Sequence, residues 1–308
     1  MGRYAVRRIL QMIPVFIGTT LLIYALMFAL PGDPVANLTV GKQTNPAYLE
    51  YIRNSFHLDQ PFIVQYLLYM KGILTGDFGT TFNGTPVTEI FRAKWPVSVT
   101  LALTAFAIEV LFGIGFGIWA AVRKGKVFDH LSLTGTILVV AVPVFVLGYV
   151  MQWLFGVKLG WVAPAGIQDG WPMSYILPAV VLASLSLAYA LRLTRQSLLE
   201  TFGTDFVRTA RAKGLPAGMV MRRYSLRNSL IPVVTFLGAD LAALMGGAVI
   251  TEGIYNIPGI GQQLYQSVHL HESVVVVGIV TVLVIVYLVM NLIVDLLYAV
   301  LDPRIRYE

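Results

Sequence analysis

Long apolar stretches recur along this chain and are separated by polar, often basic segments. A helix that crosses a bilayer needs about 20 mainly apolar residues. The first stretch follows a basic N terminus, as in a signal peptide, but its apolar run is too long and no small-x-small cleavage site follows, so we interpret it as a retained membrane anchor. The pattern predicts six membrane-spanning helices, at about 9–30, 97–121, 131–156, 173–193, 231–252 and 274–300.

The distribution of basic residues predicts the orientation of these helices. With a cytoplasmic N terminus, 16 of the 22 Lys and Arg residues fall on the cytoplasmic side, eight of them in residues 192–230. Five of the remaining six lie in residues 31–96, and long segments count little for topology. Both termini are therefore expected in the cytoplasm.

Composition supports a membrane protein and excludes several other classes. The chain has 308 residues, 57% of them hydrophobic and only 12% charged, with a mean hydropathy of +0.74. Soluble domains are about 25% charged. The net charge of +6 does not indicate nucleic-acid binding, because the basic residues flank the apolar stretches. The absence of cysteine excludes disulfides and cysteine-based metal or redox sites.

The polar segment after the fourth apolar stretch contains a short helix with start and stop signals. Thr204 is expected to accept hydrogen bonds from the first free N–H groups, and Asp205 lies at the positive end of the helix dipole. Gly214 is placed for a left-handed turn after the last helical residues, and Pro216 prevents continuation. The sequence therefore predicts a capped helix within residues 204–214.

This helix is thin and has one mildly apolar face. Phe206, Val207 and Ala210 form the apolar face, while Thr209 and Ala212 are also small. A thin, capped helix suits a groove on a partner protein. A solvated loop whose charges follow the positive-inside rule explains the same residues, so the residue pattern alone leaves both interpretations open.

The same segment resembles the cytoplasmic loop of binding-protein-dependent ABC importer permeases, in which an Ala-rich short helix precedes a Gly and, later, an Ile-x-Leu-Pro-like turn. Arg208-Thr209-Ala210 occupy the Glu-Ala-Ala places, Gly214 follows at the family spacing, and Tyr224-Ser225-Leu226-Arg227 stand at the turn. The acidic residue and the proline of the general pattern are missing here. Both departures are similar to the variant of the dipeptide/oligopeptide permeases of B type, with their VRTARAKGL and LRNSLIPV strings.

Further pieces similar to that family extend the resemblance from Pro31 to Arg306: Pro31-Gly32-Asp33-Pro34, LDQP, GDFGTTF and VDLLYAVLDPRIR. The resemblance implies one permease domain over residues 1–308 with the type I ABC importer permease fold. That fold is an all-α polytopic membrane protein with six transmembrane helices. It adds a helical extracytoplasmic lobe, here 31–96, and a cytoplasmic coupling loop, here 194–230.

The residue pattern within the predicted lobe is typical of helices joined by turns. Residues 47–73 suggest amphipathic helices with a break at Leu58-Asp59-Gln60-Pro61, and the following GDFGTTFNGTP is rich in turn residues. The resemblance places this lobe near the contact with a binding protein. A lobe that caps the helical bundle is compatible with the same residues.

The resemblance also implies function. It implies a non-catalytic subunit of the bacterial inner membrane that forms half of a translocation pathway, with no cofactor of its own. The implied partners are a second homologous permease subunit in a heterodimer, cytoplasmic subunits that bind ATP and Mg²⁺, and an extracytoplasmic substrate-binding protein; no nucleic acid is involved. Relatives of this type carry di- and oligopeptides, and some carry nickel or haem. The residues that would couple to the ATPase are Phe206, Arg208, Thr209, Ala210, Arg211, Ala212, Lys213, Gly214 and Leu215.

The last outer loop is a candidate gate. Pro258-Gly259 breaks the chain, Gly261 follows, and apolar residues then recur at helical spacing from Ile260 to Val268. A short amphipathic helix here fits a gate or an interfacial anchor. The family has a comparable loop at the outer mouth, which favours the gate.

Three acidic residues, Glu109, Asp240 and Asp295, fall inside predicted spans. A charge at the bilayer centre costs about 2.5–3.5 kcal/mol, so each should face protein or water. They are candidates for a polar pathway lining or a proton relay, or for interhelical pairing. An ion-coupled secondary transporter that uses Glu109 and Asp240 is therefore the alternative function, although it leaves the capped polar helix unexplained.

Other motifs are absent or weak. No GxxxxGK[ST] phosphate-binding loop occurs, and no nucleophile–base or metal constellation indicates an intramembrane enzyme. His269 and His271 lie two residues apart beside Glu272, a spacing that we attribute to chance rather than to a metal site. Gly113 and Gly117 form a GxxxG spacing, which permits close helix approach. Prolines in or beside the spans, such as Pro143, are expected to adjust packing or to mark kinks.

Overall fold

The computed structural model describes residues 2–28, 59–81, 84–246, 248–270 and 272–301, together with residues 50, 53 and 57. Within these residues the fold is helical, with one isolated antiparallel bridge between Thr80 and Pro86. The Pro31–Pro34 motif, most of the predicted lobe before Pro61, His271 and the last seven residues lie outside the described part.

The α-helices are numbered in chain order. They are α1 (Gly2–Phe28), α2 (Phe62–Leu74), α3 (Val87–Ile108), α4 (Gly115–Val122), α5 (Val127–Ala141), α6 (Val144–Met151), α7 (Met173–Phe202), α8 (Asp205–Ala212), α9 (Ala217–Met219), α10 (Arg227–Gly246), α11 (Val249–Tyr255), α12 (Ile260–His269) and α13 (Ser273–Leu301). Three π-helical segments continue this series: Glu109–Ile114 joins α3 to α4, Gln152–Lys158 follows α6, and Val220–Leu226 joins α9 to α10.

The described residues contain five helices long and apolar enough to cross a membrane, within α1, α3–α4, α7, α9–α10 and α13. There are six spans if α5, α6 and the π segment after α6 are counted together as one bent span. The predicted all-α membrane fold is therefore confirmed.

The third predicted span, 131–156, is not one straight helix. Its two halves bend by 105° at Val142 and Pro143, and both residues have extended backbone angles. The ring of a proline disfavours the α conformation in the preceding residue, which explains the extended Val142. Pro143 thus breaks its span, whereas Pro14, Pro178 and Pro232 lie inside continuous helices.

Several helices extend beyond the apolar stretches that predicted them. The second begins at Val87, and the fourth runs to Phe202, inside the region interpreted as a loop. The fifth starts from residue 217, and residues 249–255 form a separate helix, α11. Apolar length indicates the part of a helix that lies in lipid, whereas polar helix formers prolong it into water.

Residues 1–98 and 258–308 form one compact unit. In it α13 packs against α1 and α12, and Tyr24 and Tyr66 join α1 to α2 in a cluster with Val277. The Thr20 hydroxyl lies 2.9 Å from the Tyr66 hydroxyl and reinforces this contact. Helix α2 begins directly after Pro61, as the predicted break at LDQP requires.

Residues 99–257 form the second unit, which is built around α7. The π segment Glu109–Ile114, α4 and α10 all pack on α7. A cluster of Ala190, Val233 and Leu237 lies between these elements. This unit contains the predicted coupling helix α8 and two of the three intramembrane acids.

Candidate functional site

The turn from α7 into α8 differs from the predicted capping arrangement. Thr204 is the N-cap residue, with φ −74° and ψ 152°, but its side chain does not cap the helix. Its hydroxyl donates instead to the carbonyl of Thr201, 2.6 Å away. The prediction that Thr204 accepts from the first N–H groups is therefore wrong, because its hydroxyl shares the Thr201 carbonyl in the last turn of α7 with its own backbone N–H, which donates to that carbonyl at 3.1 Å.

Helix α8 buries one face against its own chain. Val207 and Ala210 are almost inaccessible to solvent, and they pack against Val220 with Leu215 and Tyr224. The sequence predicts that Ala210 keeps the helix thin for a partner. The structure shows instead that its side chain faces the π segment that leads into α10, so bulk at this position would disturb the chain's own packing.

The opposite face of α8 is exposed. Phe206 is 44% exposed, and the Asp205 and Arg208 side chains are exposed and lie 3.5 Å apart. Such an exposed ion pair contributes little stability. The other members of the predicted set on this face are Thr209, Arg211, Ala212, Lys213 and Gly214. The exposed face of α8 and the turn after it therefore combine an aromatic ring, small residues and several positively charged side chains.

The end of α8 matches the predicted left-handed stop. Gly214 has φ +74°, its N–H donates to the carbonyl of Arg211 at 2.9 Å, and the N–H of Leu215 donates to the carbonyl of Ala210 at 3.3 Å. These two bonds form a Schellman motif. Leu215 then packs beside Ala210 in the same cluster. The positive φ explains why glycine stands here.

Tyr224–Arg227, which stand where the resembling family has its Ile-x-Leu-Pro-like turn, do not form a turn in the structure. The chain runs as a π helix over Val220–Leu226 and enters α10 at Arg227 without a break. A proline would remove a backbone N–H and clash with the preceding turn, but Arg227 does neither. The exposed arginines Arg222 and Arg223 therefore lie on a continuous helical surface beside α8.

Side-chain bonds tie α7, the helix that leads into α8, to the neighbouring spans. Arg195 on α7 donates through two guanidinium nitrogens to Asp129 on α5, one of the bonds being 2.8 Å long. The N–H of Gly125 donates to the same carboxylate at 2.8 Å. The Ser197 hydroxyl donates to the carbonyl of Ser229 at 2.8 Å and links α7 to α10. Sequence reasoning missed Asp129, although a lone acid at the start of an apolar stretch is a signal for a buried partner.

The structure brings together two of the acids singled out in the sequence. Glu109 begins the first π segment and is fully buried, and its carboxyl group is within interaction reach of Asp240 on α10. The Ser186 hydroxyl on α7 donates to Oδ1 of Asp240 at 2.8 Å. Asp295 lies elsewhere and pairs with Arg8 at 3.2 Å, joining α13 to α1. The interhelical-pairing interpretation therefore describes Asp295.

The candidate gate residues cap and begin α12. Gly259 is the N-cap residue in extended conformation, with Pro258 before it, and both Gly259 and Gly261 are buried. The N–H of Ile260 donates to the Ser98 hydroxyl at 2.8 Å. The predicted short helix after Pro258-Gly259 is confirmed, while a gating role for these residues stays a prediction.

No group of three or more His, Cys, Asp or Glu side chains in the described residues is arranged to hold a metal ion. His269 stacks against Tyr265 and shares a hydrogen bond with its carbonyl. Within the described residues, the site therefore consists of the short helix α8 with one exposed face, together with a separate buried acid pair.

This arrangement belongs to a known class of membrane protein. Residues 113–307 match the family of binding-protein-dependent transport system inner membrane components, and residues 1–102 match the N-terminal part described for such membrane components. The chain belongs to this family of ABC importer permeases. This membership does not favour the alternative function of an ion-coupled secondary transporter. It indicates a multi-pass protein of the bacterial inner membrane.

Two relatives illustrate how far the similarity extends. The dipeptide transport system permease protein DppB of Alkalihalophilus pseudofirmus is 34% identical over 333 residues, covering 99% of each chain. The glutathione transport system permease protein GsiC of Salmonella typhimurium is 35% identical over 309 residues, covering 100% of each chain. The similarity is therefore spread over the whole length.

Solved structures share the fold. A chain of the MetNI methionine ABC transporter in an inward-facing conformation has a TM-score of 0.58 at 18% identity, covering 70% of this chain and 97% of that one. A chain of an amino acid ABC transporter crystallised with histidines has a TM-score of 0.53 at 18% identity, covering 68% and 93%. At this identity the likeness concerns the fold alone.

Proposed function

We propose that this chain forms half of the translocation pathway of an importer for di- or oligopeptides, and that α8 couples it to ATP hydrolysis. The substrate class rests on the relatives, which are named as dipeptide and glutathione permeases, since glutathione is itself a small peptide. The observation that carries the coupling role is the exposed face of α8, which follows directly after α7. Helix α7 is itself tied to α5 by the bond between Arg195 and Asp129.

The proposed assembly supplies what this chain lacks. ATP and Mg²⁺ bind to cytoplasmic partner subunits, because no phosphate-binding loop occurs in this sequence. A second homologous permease completes the pathway as a heterodimer. A substrate-binding protein outside the membrane delivers the peptide and selects it.

The packing of α8 gives it two routes to the spans. It leaves directly from α7 after Phe202, and its buried residues Val207 and Ala210 rest on the π segment that continues into α10. Because this contact is closely packed, a displacement of α8 by closing ATPase subunits moves α7 and α10 together. That motion would switch access to the pathway from outside to inside.

The proposal is tested by adding bulk to the exposed face of α8. Ala212→Trp leaves the buried face intact but obstructs a partner groove. We expect substrate-stimulated ATPase activity and uptake, measured in proteoliposomes with partner subunits and binding protein, to fall about tenfold or more, as for a docking loss of about 1.4 kcal/mol or more. Ala217→Trp, at an exposed alanine outside the proposed set, is the matched control and should retain both activities.

A second pair of variants tests the turn at Gly214. An added Cβ would meet no atom within 4 Å, so the cost of a side chain comes from its φ of +74° alone. Gly214→Val should redirect the exit of α8 and uncouple transport, whereas Gly214→Asn should retain coupling because asparagine tolerates the left-handed conformation. Normal uptake by both Ala212→Trp and Gly214→Val, at normal membrane abundance, would show that the segment is only a connector.

A further inference from the structure

The carboxyl group of Glu109 is the most unusual polar group in the second unit. The residue has no solvent exposure, and neither carboxylate oxygen has a hydrogen-bond partner among the described residues. It stands at the first position of a π-helical segment, a distortion that occurs frequently at functional sites. A buried, unpartnered carboxylate is costly, so this position requires an explanation.

Asp240 completes the arrangement from α10. Its carboxyl group lies within hydrogen-bonding reach of Glu109. Ser186 donates to Oδ1 of Asp240, while Oδ2 is buried and has no partner among the described residues. Three carboxylate oxygens therefore meet inside the helical bundle without a donor.

Few charges are available nearby to compensate the two acids. In sequence, Glu109 is the sole charged residue of 95–122, and Asp240 is the sole charged residue of 228–246. The first charged residue of α7 is Arg192, which lies over the Tyr189 ring at 5.0 Å and donates to the carbonyl of Ala188. The same helices pack against one another through an apolar cluster: Phe106, Val110, Ile114, Ala190, Leu193, Leu230, Val233, Phe236 and Leu237.

The chemistry of carboxyl groups limits what can lie between Glu109 and Asp240. Ionised carboxylates only accept hydrogen bonds, so two of them cannot bond to each other. Two like charges in an apolar interior also repel strongly, which favours protonation of one. Three oxygens from two acids fall short of the six to eight that Ca²⁺ takes. One proton satisfies the geometry, because it turns one acceptor into a donor.

We propose that Glu109 and Asp240 bind one proton between them and form a carboxyl–carboxylate hydrogen bond that links the second span to the fifth. In this bond Glu109 donates and Asp240 accepts, as Asp240 already does from the Ser186 hydroxyl. The proton is a fixed structural component of the bundle. The proposal is independent of the coupling role of α8.

The link makes the stability of the bundle depend on pH in one direction. Glu109 is protonated in the folded chain but ionised in the unfolded chain at neutral pH. Its contribution is therefore present at low pH and is lost as rising pH removes the proton, because two carboxylates then face each other. Glu109→Gln keeps the shape and a permanent N–H donor, so it should not show this loss.

The test uses the full chain assembled with its partner subunits in detergent. When the pH is raised from about 6 to about 10, the thermal midpoint of the wild type should fall by at least about 2 °C more than that of Glu109→Gln. Glu109→Ala should lower it at every pH. The infrared spectra of the wild type and of Glu109→Gln are also compared at neutral pH. The wild type should show a carboxylic-acid C=O band that Glu109→Gln lacks.

Two outcomes would overturn the proposal. If the wild type and Glu109→Gln show the same carboxylic-acid band, Glu109 does not carry the proton. If Na⁺, compared with choline, raises the thermal midpoint of the wild type but not that of Glu109→Gln, the site holds a monovalent cation instead. Both readouts are independent of transport activity, so failure here leaves the proposed function standing.

Discussion

Two glycines set how closely the second span approaches α7. A Cβ on Gly113 would lie 2.8 Å from the Cβ of Ala190, and one on Gly117 would lie 2.6 Å from the Cβ of Thr194 and 2.8 Å from the carbonyl oxygen of Leu191. These distances leave no room for a side chain. In contrast, a Cβ on Gly115, which lies between them, would meet no atom within 4 Å.

The close approach predicts a sharp difference between neighbouring substitutions. Gly117→Ala should destabilise the chain by about 1–3 kcal/mol, because overpacking forces the two helices apart. Gly115→Ala is the control and should stay within about 1 kcal/mol of the wild type, since it adds a methyl group in open space. Thermal unfolding of the purified chain measures both. Equal stability of the two variants would contradict the packing.

At the scale of elements, the Asp129–Arg195 pair holds α5 against α7. The Asp129 side chain is 2% exposed and the Arg195 side chain 19%, so solvent screens this pair far less than the exposed pair on α8. The Gly125 N–H adds a third bond to the same carboxylate. The turn between α4 and α5 is therefore part of this brace.

Removal of Asp129 alone should lower the free energy of unfolding more than removal of both Asp129 and Arg195. Asp129→Ala leaves a guanidinium without its partner and should cost about 3–5 kcal/mol, the range for broken buried pairs. Arg195→Ala, combined with it, should recover part of that loss. A double-mutant cycle measured by denaturation gives the coupling energy. Strict additivity of the two single losses would show that the pair does not stabilise the fold.

At the scale of the whole molecule, the orientation in the membrane is open to a direct test. The chain lacks cysteine, so single cysteines report their own side of the bilayer. With both termini cytoplasmic, an impermeant thiol reagent should label Asp169→Cys and Gln266→Cys in intact cells, but not Gly218→Cys. All three positions are exposed in the structure. Labelling of Gly218→Cys from outside would invert the proposed topology.

The sequence by itself determined the membrane class, the number of apolar stretches, and both ends of α8. These features depend on neighbouring residues: apolar length sets bilayer crossing, Gly214 permits a positive φ, and Pro216 stops a helix. The family could also be recognised from the VRTARAKGL and LRNSLIPV strings, since a motif is contiguous in the chain.

Only the tertiary structure decided which side of α8 is free and which acids meet. Ala210 and Ala212 are the same residue type on one short helix, yet one is buried by Val220 and the other is exposed. Glu109 and Asp240 meet because α7 packs against both of their helices, which no local pattern reveals. Long-range packing decides such pairings, because local sequence sets helices and turns but leaves open which helix faces meet.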